Sequence, residues 1–245
     1  MDTLFWTALN PNIGFAETRK LMYGSNLYRL VVQCPGAHLL RSLKSYDPIE
    51  LLELVQRERK INYGGSWRQS TRLKVTDVEL LDIMCVGRFK ALQDGIRVMV
   101  TSNHVNFYAQ SQQTLMKLTE RITLGTNSHF IELMLPSSEG NKQLLEQGFT
   151  LRKRKPEYQY RIHLREGRYS FADLQKLRTW LSNFTKEDLL VPYSLNAQLQ
   201  SNHTQSYLFG AYISVQDDRI ATMLNMINPN LVSNIEEFYH IGNDE

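Results

Sequence analysis

The densest chemistry in this 245-residue chain lies between Arg152 and Arg168. Arg152, Lys153, Arg154, Lys155, Arg161, Arg165 and Arg168 stand there against Glu157 and Glu166, seven positive charges against two. Cations at this density, interleaved with Tyr158, Tyr160 and Tyr169, suit a polyanion: the charged groups take phosphates while flat rings stack on bases. The same stretch also reads as a solvated linker whose charges keep an edge strand from pairing. A second aromatic set, Tyr207, Phe209 and Tyr212, falls in the run Tyr207 to Val215. If that run is one strand, alternation cannot turn all three rings outward, so at least one is buried.

Other chemistry is sparse. Six histidines (His38, His104, His129, His163, His203 and His240) are scattered, and no two share the four-residue spacing of a helical metal pair. His104 and His203 each fall in a turn between paired strands, where a metal-free ribonuclease could use them to move protons; a solvent-exposed, inert role fits such a position equally. There is no phosphate loop, no dinucleotide fingerprint and no G-x-S-x-G elbow. Asp217-Asp218 reads as a helix start and not as a two-metal site. No catalytic residue, metal or cofactor is expected. Gly64 to Arg72, with Trp67, Arg68 and Arg72, reads as a flexible loop that could clamp a strand or a partner.

Composition excludes several classes. At 42% apolar and 22% charged, the chain is ordinary globular protein, long enough for one large domain or two small ones. No apolar run approaches the ~20 residues of a membrane span, and the start, Met1-Asp2-Thr3-Leu4-Phe5-Trp6, lacks a basic lead and an uninterrupted apolar stretch, so a secretory signal is not expected. Two cysteines, Cys34 and Cys85, allow neither a disulfide scaffold nor a four-cysteine zinc site. The expectation is an intracellular, cytoplasmic protein with no membrane partner. Net charge is only +3, but it is segregated, since the end of the chain (Glu236, Glu237, Asp244, Glu245) is acidic.

Periodicity supplies the elements that must hold these residues. Leu27 to Cys34 is a strand ended by Pro35-Gly36. Thr76 to Glu79 forms a capping box before a helix with Val78, Leu81, Met84 or Cys85, and Phe89 inward, ended by Gly95. Ile96–Val100 and Val105–Ala109 make a hairpin; Ser111 caps a helix carrying Leu115, Leu118 and Ile122; Phe130 to Leu135 is a strand. The second half repeats this order. Tyr158 to Leu164 is a strand, Ser170 caps a helix carrying Leu174, Leu177 and Leu181, and Tyr193–Leu199 and Tyr207–Val215 are paired strands. A helix with Ile220, Met223, Leu224 and Ile227 follows Asp217-Asp218, and Leu231 to Ile241 finishes as a strand or a ragged end.

The twofold β-α-β-β-α-β order resembles the ferredoxin-like topology shared by the RNA-recognition motif and the CRISPR repeat-processing endonucleases. Ala211-Tyr212-Ile213-Ser214 is similar to the core of the motif's third-strand octapeptide, while Leu208-Phe209 and Val215 depart from it. The resemblance implies an α+β fold of two tandem ferredoxin-like units with antiparallel sheets and helices on one face. The first unit spans 26–136 with an insertion at 35–74, in which Leu51, Leu52 and Val55 of a helix turn inward. The second spans 157–245, with an N-terminal arm at 1–25 and a linker at 137–156.

A non-enzymatic nucleic-acid-binding function, for single strands or RNA, follows from these features. Arg152, Lys153, Arg154, Lys155, Arg161 and Arg165 would hold phosphates, and Tyr160, Tyr207, Phe209 and Tyr212 would meet bases. Two other classes stand beside it: a protein-interaction subunit of a larger assembly, viral ones included, and a metal-independent ribonuclease.

Overall fold

The computed structural model describes residues 3–41, 43, 46–60, 77–90, 95–122, 129–200 and 205–242. The chain is α+β and divides into two compact units, Met1–Lys142 and Gln143–Glu245. No helix among the described residues is long and apolar enough to cross a membrane. The capping box at Thr76, the Gly64-to-Arg72 loop and the turn containing His203 lie outside the described residues.

The first unit opens with α1 (Thr3–Leu9), whose Trp6 is fully buried, and β1 (Gly14–Glu17). Then come β2 (Tyr28–Gln33), a 3-10 turn at Ala37–Arg41, α2 (Pro48–Lys60), α3 (Asp77–Gly87), and a 3-10 turn at Arg88–Lys90. The hairpin β3 (Ile96–Thr101) and β4 (His104–Ala109), α4 (Gln112–Arg121) and β5 (His129–Leu135) complete it. The sheet runs β1-β5-β2-β4-β3. Leu30, Val32, Val105, Phe107 and Leu133 are buried on one side of it, where Phe89 packs edge-on to Phe107 with centroids 6.2 Å apart. Strand alternation sends Arg29, Asn106 and Tyr108 to the other side.

The second unit starts partway along the next helix and has a five-stranded sheet of its own. Helix α5 (Glu139–Glu146) leads to β6 (Thr150–Arg152), β7 (Tyr160–Leu164), β8 (Gly167–Ser170), α6 (Phe171–Leu181), β9 (Leu189–Leu190) and α7 (Tyr193–Leu199). After these come β10 (Gln205–Leu208), β11 (Tyr212–Val215), α8 (Arg219–Ile227) and β12 (Val232–His240). Its main sheet runs β6-β12-β7-β11-β9, while β8 and β10 form a separate two-stranded ribbon. Ile162, Leu164, Ile213 and Val215 on the sheet meet Leu174, Leu177, Leu195, Leu199, Ile220 and Leu224 from α6, α7 and α8. Burial of side chains this size contributes roughly 1.5–3 kcal/mol each.

Two expected caps form: Ser111 Oγ accepts from Thr114 N at 3.2 Å, and Ser170 Oγ from Asp173 N at 3.1 Å. At α8, the Asp217 carboxylate accepts from Arg219 N at 2.9 Å and from its guanidinium, which holds the Asp217 carboxyl below its ordinary range.

Several expectations are corrected. The sheets are not purely antiparallel, because β1 runs parallel to β5 and β6 parallel to β12. These edge strands have four and three residues, too short for alternation to reveal them. The stretch read as an arm therefore supplies an edge strand, and the stretch read as a linker supplies α5 and β6. Tyr193–Leu199, read as a strand, is helix α7, with Leu195 and Leu199 buried four residues apart. The run Tyr207 to Val215 is two strands in two different sheets, broken at Gly210, whose φ of 56° favours glycine. In α2 the buried face is Leu51, Leu54 and Val55, with Leu52 outward. In α3 it is Asp82, Ile83 and Val86, with Leu81 exposed, and the helix ends at Gly87 instead of Gly95. In α3, which is apolar nearly all round, the pattern of apolar residues does not single out a buried face.

Candidate nucleic-acid interface

With Ile162 and Leu164 of β7 facing the helices, Arg161 and His163 must face away from them. Tyr212, Ser214, Glu236 and Phe238 share that second face by register. The Arg161 guanidinium lies 4.4 Å from the Tyr212 ring centroid and 5.3 Å from that of Phe238. Arg152 lies 4.5 Å over the Phe238 ring from the edge strand β6. Glu236, only 6% exposed, sits 3.3 Å from His163 Nε2 and 3.9 Å from Arg161 Nη1. A carboxylate this buried is costly without cations beside it. Arg152, Arg161 and Tyr212 are thus brought together, and the face they build is half-covered and partly neutralised.

The other predicted cations sit elsewhere. Lys153, Arg154 and Lys155 are exposed on the connection from β6 to β7, and Arg165 is exposed just past β7. Tyr160 packs against the helix-covered core, and its hydroxyl donates to Glu237 Oε1 at 3.4 Å. Burial, then the Glu237 charge, raises its pKa above the ordinary tyrosine value. That ring is not on the side of the sheet that carries Arg161.

Tyr207 and Phe209 belong to the ribbon. Tyr207 lies directly across from Arg168 in the β8–β10 register, and both are exposed. Phe209 follows the strand and is 68% exposed, while its backbone is clamped by Gln198: the Phe209 N–H donates to Gln198 Oε1 at 3.1 Å, and Gln198 Nε2 donates to the Phe209 carbonyl at 3.2 Å. Gly210 N donates to Glu166 Oε1 at 3.0 Å, and Tyr169 OH donates to the Arg165 carbonyl at 2.8 Å. The backbone at Phe209 is thus held while its ring stays largely exposed, and Arg168 stands opposite Tyr207 in the ribbon. Sequence reasoning placed Arg168 in the basic run but not opposite Tyr207, and it missed Gln198, because the β8–β10 pairing sets the first neighbour and α7 side-chain hydrogen bonds to the Phe209 backbone set the second.

A site in the first unit had no sequence signal strong enough to single it out. The sheet face of Arg29, Tyr108 and Met134 floors a cleft of about 520 Å3, walled by residues between β1 and β2. Arg29 is hydrogen-bonded to Glu132. Tyr23, at φ 53° in a tight turn closed by Met22 and Asn26, meets Tyr108 edge-on at 4.8 Å and carries Arg97 3.8 Å over its ring. Burial, with the Tyr23 side chain next, raises the pKa of Tyr108. The one trace in the sequence is the repeated dipeptide Tyr28-Arg29 and Tyr160-Arg161, each followed by an aliphatic residue at the head of a strand.

His104, at the start of β4, pairs with Gln33 and Thr101 across the sheet. Among the described residues no group of three or more His, Cys, Asp or Glu could hold a metal ion. Comparison with protein-family models, with curated proteins and with solved structures finds no match to this chain.

Proposed function

We propose that the chain is a non-enzymatic nucleic-acid-binding protein for single strands or RNA, built from two ferredoxin-like units, each with one added edge strand. The strand order supports the architecture. Leaving out β1 and β6, each main sheet places its fourth strand beside the first, then the third, then the second.

One observation carries the functional reading: exposed Tyr207 lies across from exposed Arg168, with the Phe209 ring turned outward next to them. Rings stack on unpaired bases of any sequence, and the guanidinium reaches the phosphate between them. Lys153, Arg154 and Lys155 add exposed positive charge in the same unit. The test is fluorescence anisotropy of a labelled single-stranded RNA against the full chain and a Tyr207→Ala, Phe209→Ala variant. Loss of affinity in the folded variant supports the reading; equal affinity removes the ribbon from it.

A second reading, a subunit of a protein assembly, draws on α8, whose Met223 and Met226 are 47% and 81% exposed. Sizing-column migration with and without oligonucleotide separates the two.

A further inference from the structure

We infer that the cleft of the first unit is a binding site for a nucleoside phosphate, independent of the ribbon. It is a shallow depression of about 520 Å3, broadly open to solvent, so a ligand there is held by the groups on its floor and wall and not by enclosure. Its lining holds one carboxylate, Glu17, beside two other kinds of group. Arg19 and Arg29 supply guanidinium donors, and Lys20 adds a third cation; Tyr23, Tyr108, Met22 and Met134 supply rings and thioethers.

Each guanidinium already meets one carboxylate, Arg19 with Glu17 at 3.0 Å and Arg29 with Glu132. A guanidinium has five N–H donors, so one carboxylate orients it without using it up. The Arg29 Nε is buried and makes no hydrogen bond. A phosphate, with several acceptor oxygens, suits two such groups better than a neutral ligand does.

The apolar half selects a flat ring. Tyr23 is held in place by Arg97 over one face, by a perpendicular contact with the Tyr108 ring and by its hydroxyl donating to Met99 Sδ at 2.6 Å, yet the residue stays 42% exposed. Thioethers are soft surfaces that pack well against aromatic edges. Phosphate and ring on one small molecule describe a nucleotide, free or at the end of a strand.

Calorimetric titration of the full chain with AMP, adenosine and inorganic phosphate tests this. AMP is expected to bind at least tenfold more tightly than either fragment. Arg19→Gln and Tyr23→Asn, the latter tolerant of the left-handed backbone, should each weaken AMP at least tenfold while circular dichroism and Tm stay close to wild type. Competition by a 5′-phosphorylated oligonucleotide, but not by its unphosphorylated twin, identifies the source as a strand end. AMP binding that neither oligonucleotide displaces identifies it as the free nucleotide. The inference is overturned if AMP does not bind at millimolar concentration, if adenosine binds as well as AMP, or if both folded variants keep wild-type affinity.

Discussion

Arg29 and Arg161 occupy matching places in the two units. Each is the second residue of the strand at the centre of its five-stranded sheet, follows a tyrosine, and turns away from the buried aliphatic residue after it. Each also has a glutamate from the neighbouring strand and a tyrosine from the strand on the other side: Glu132 and Tyr108 for Arg29, Glu236 and Tyr212 for Arg161. The registers differ, since Arg161 stands opposite Glu236 whereas Arg29 stands opposite Met134, with Glu132 opposite Val31. The same trio is therefore reached by two different pairings. In the first unit Arg29 and Tyr108 line a cleft, whereas in the second Arg161 also lies against Phe238, whose ring Arg152 covers.

Replacing Lys153, Arg154 and Lys155 together with glutamine should weaken single-strand binding and flatten its salt dependence. Three lost phosphate contacts at ~0.7 each lower the slope of log affinity against log salt by about two. Anisotropy titrations over a salt series measure it, and an unchanged slope removes these three residues from the interface.

Tyr207→Ala and Phe209→Ala should each cost roughly 1–3 kcal/mol of binding, the worth of one stacked base. Because both rings are mostly exposed, Tm should move little. A large drop in Tm with unchanged affinity would assign these rings to packing.

Ile162→Ala removes a fully buried side chain from the centre of the second unit's core. Chemical denaturation should show a loss of about 2–5 kcal/mol. Ser170→Ala removes the Asp173 N–H acceptor at the start of α6 and should cost about 1 kcal/mol.

Tyr46, Tyr108, Tyr158, Tyr160 and Tyr169 all have pKa values raised from 10.0, burial being the largest cause in each. The folded state then keeps these protons after the unfolded chain has lost them. Their contribution is fully present below pH 10 and is lost as pH climbs through the raised values. Denaturation midpoints should fall above pH 10, and Tyr108→Phe should soften that fall. A pH-independent midpoint from 9 to 11 would contradict it.

Local sequence determined the elements with strong period or clear caps: β2, the β3–β4 hairpin, α4 behind Ser111 and α6 behind Ser170. It also located the exposed cations Lys153 to Lys155, since charge alone keeps such side chains in water. Pairing between distant strands decided the rest. Three- and four-residue edges such as β6 and β1 have no period of their own and become strands only beside β12 and β5. Gly210 lets the chain leave one sheet and join another, so Tyr207 pairs with Arg168 while Tyr212 pairs with His163. The neighbours of a side chain across a sheet depend on register, which no window of a single sequence contains.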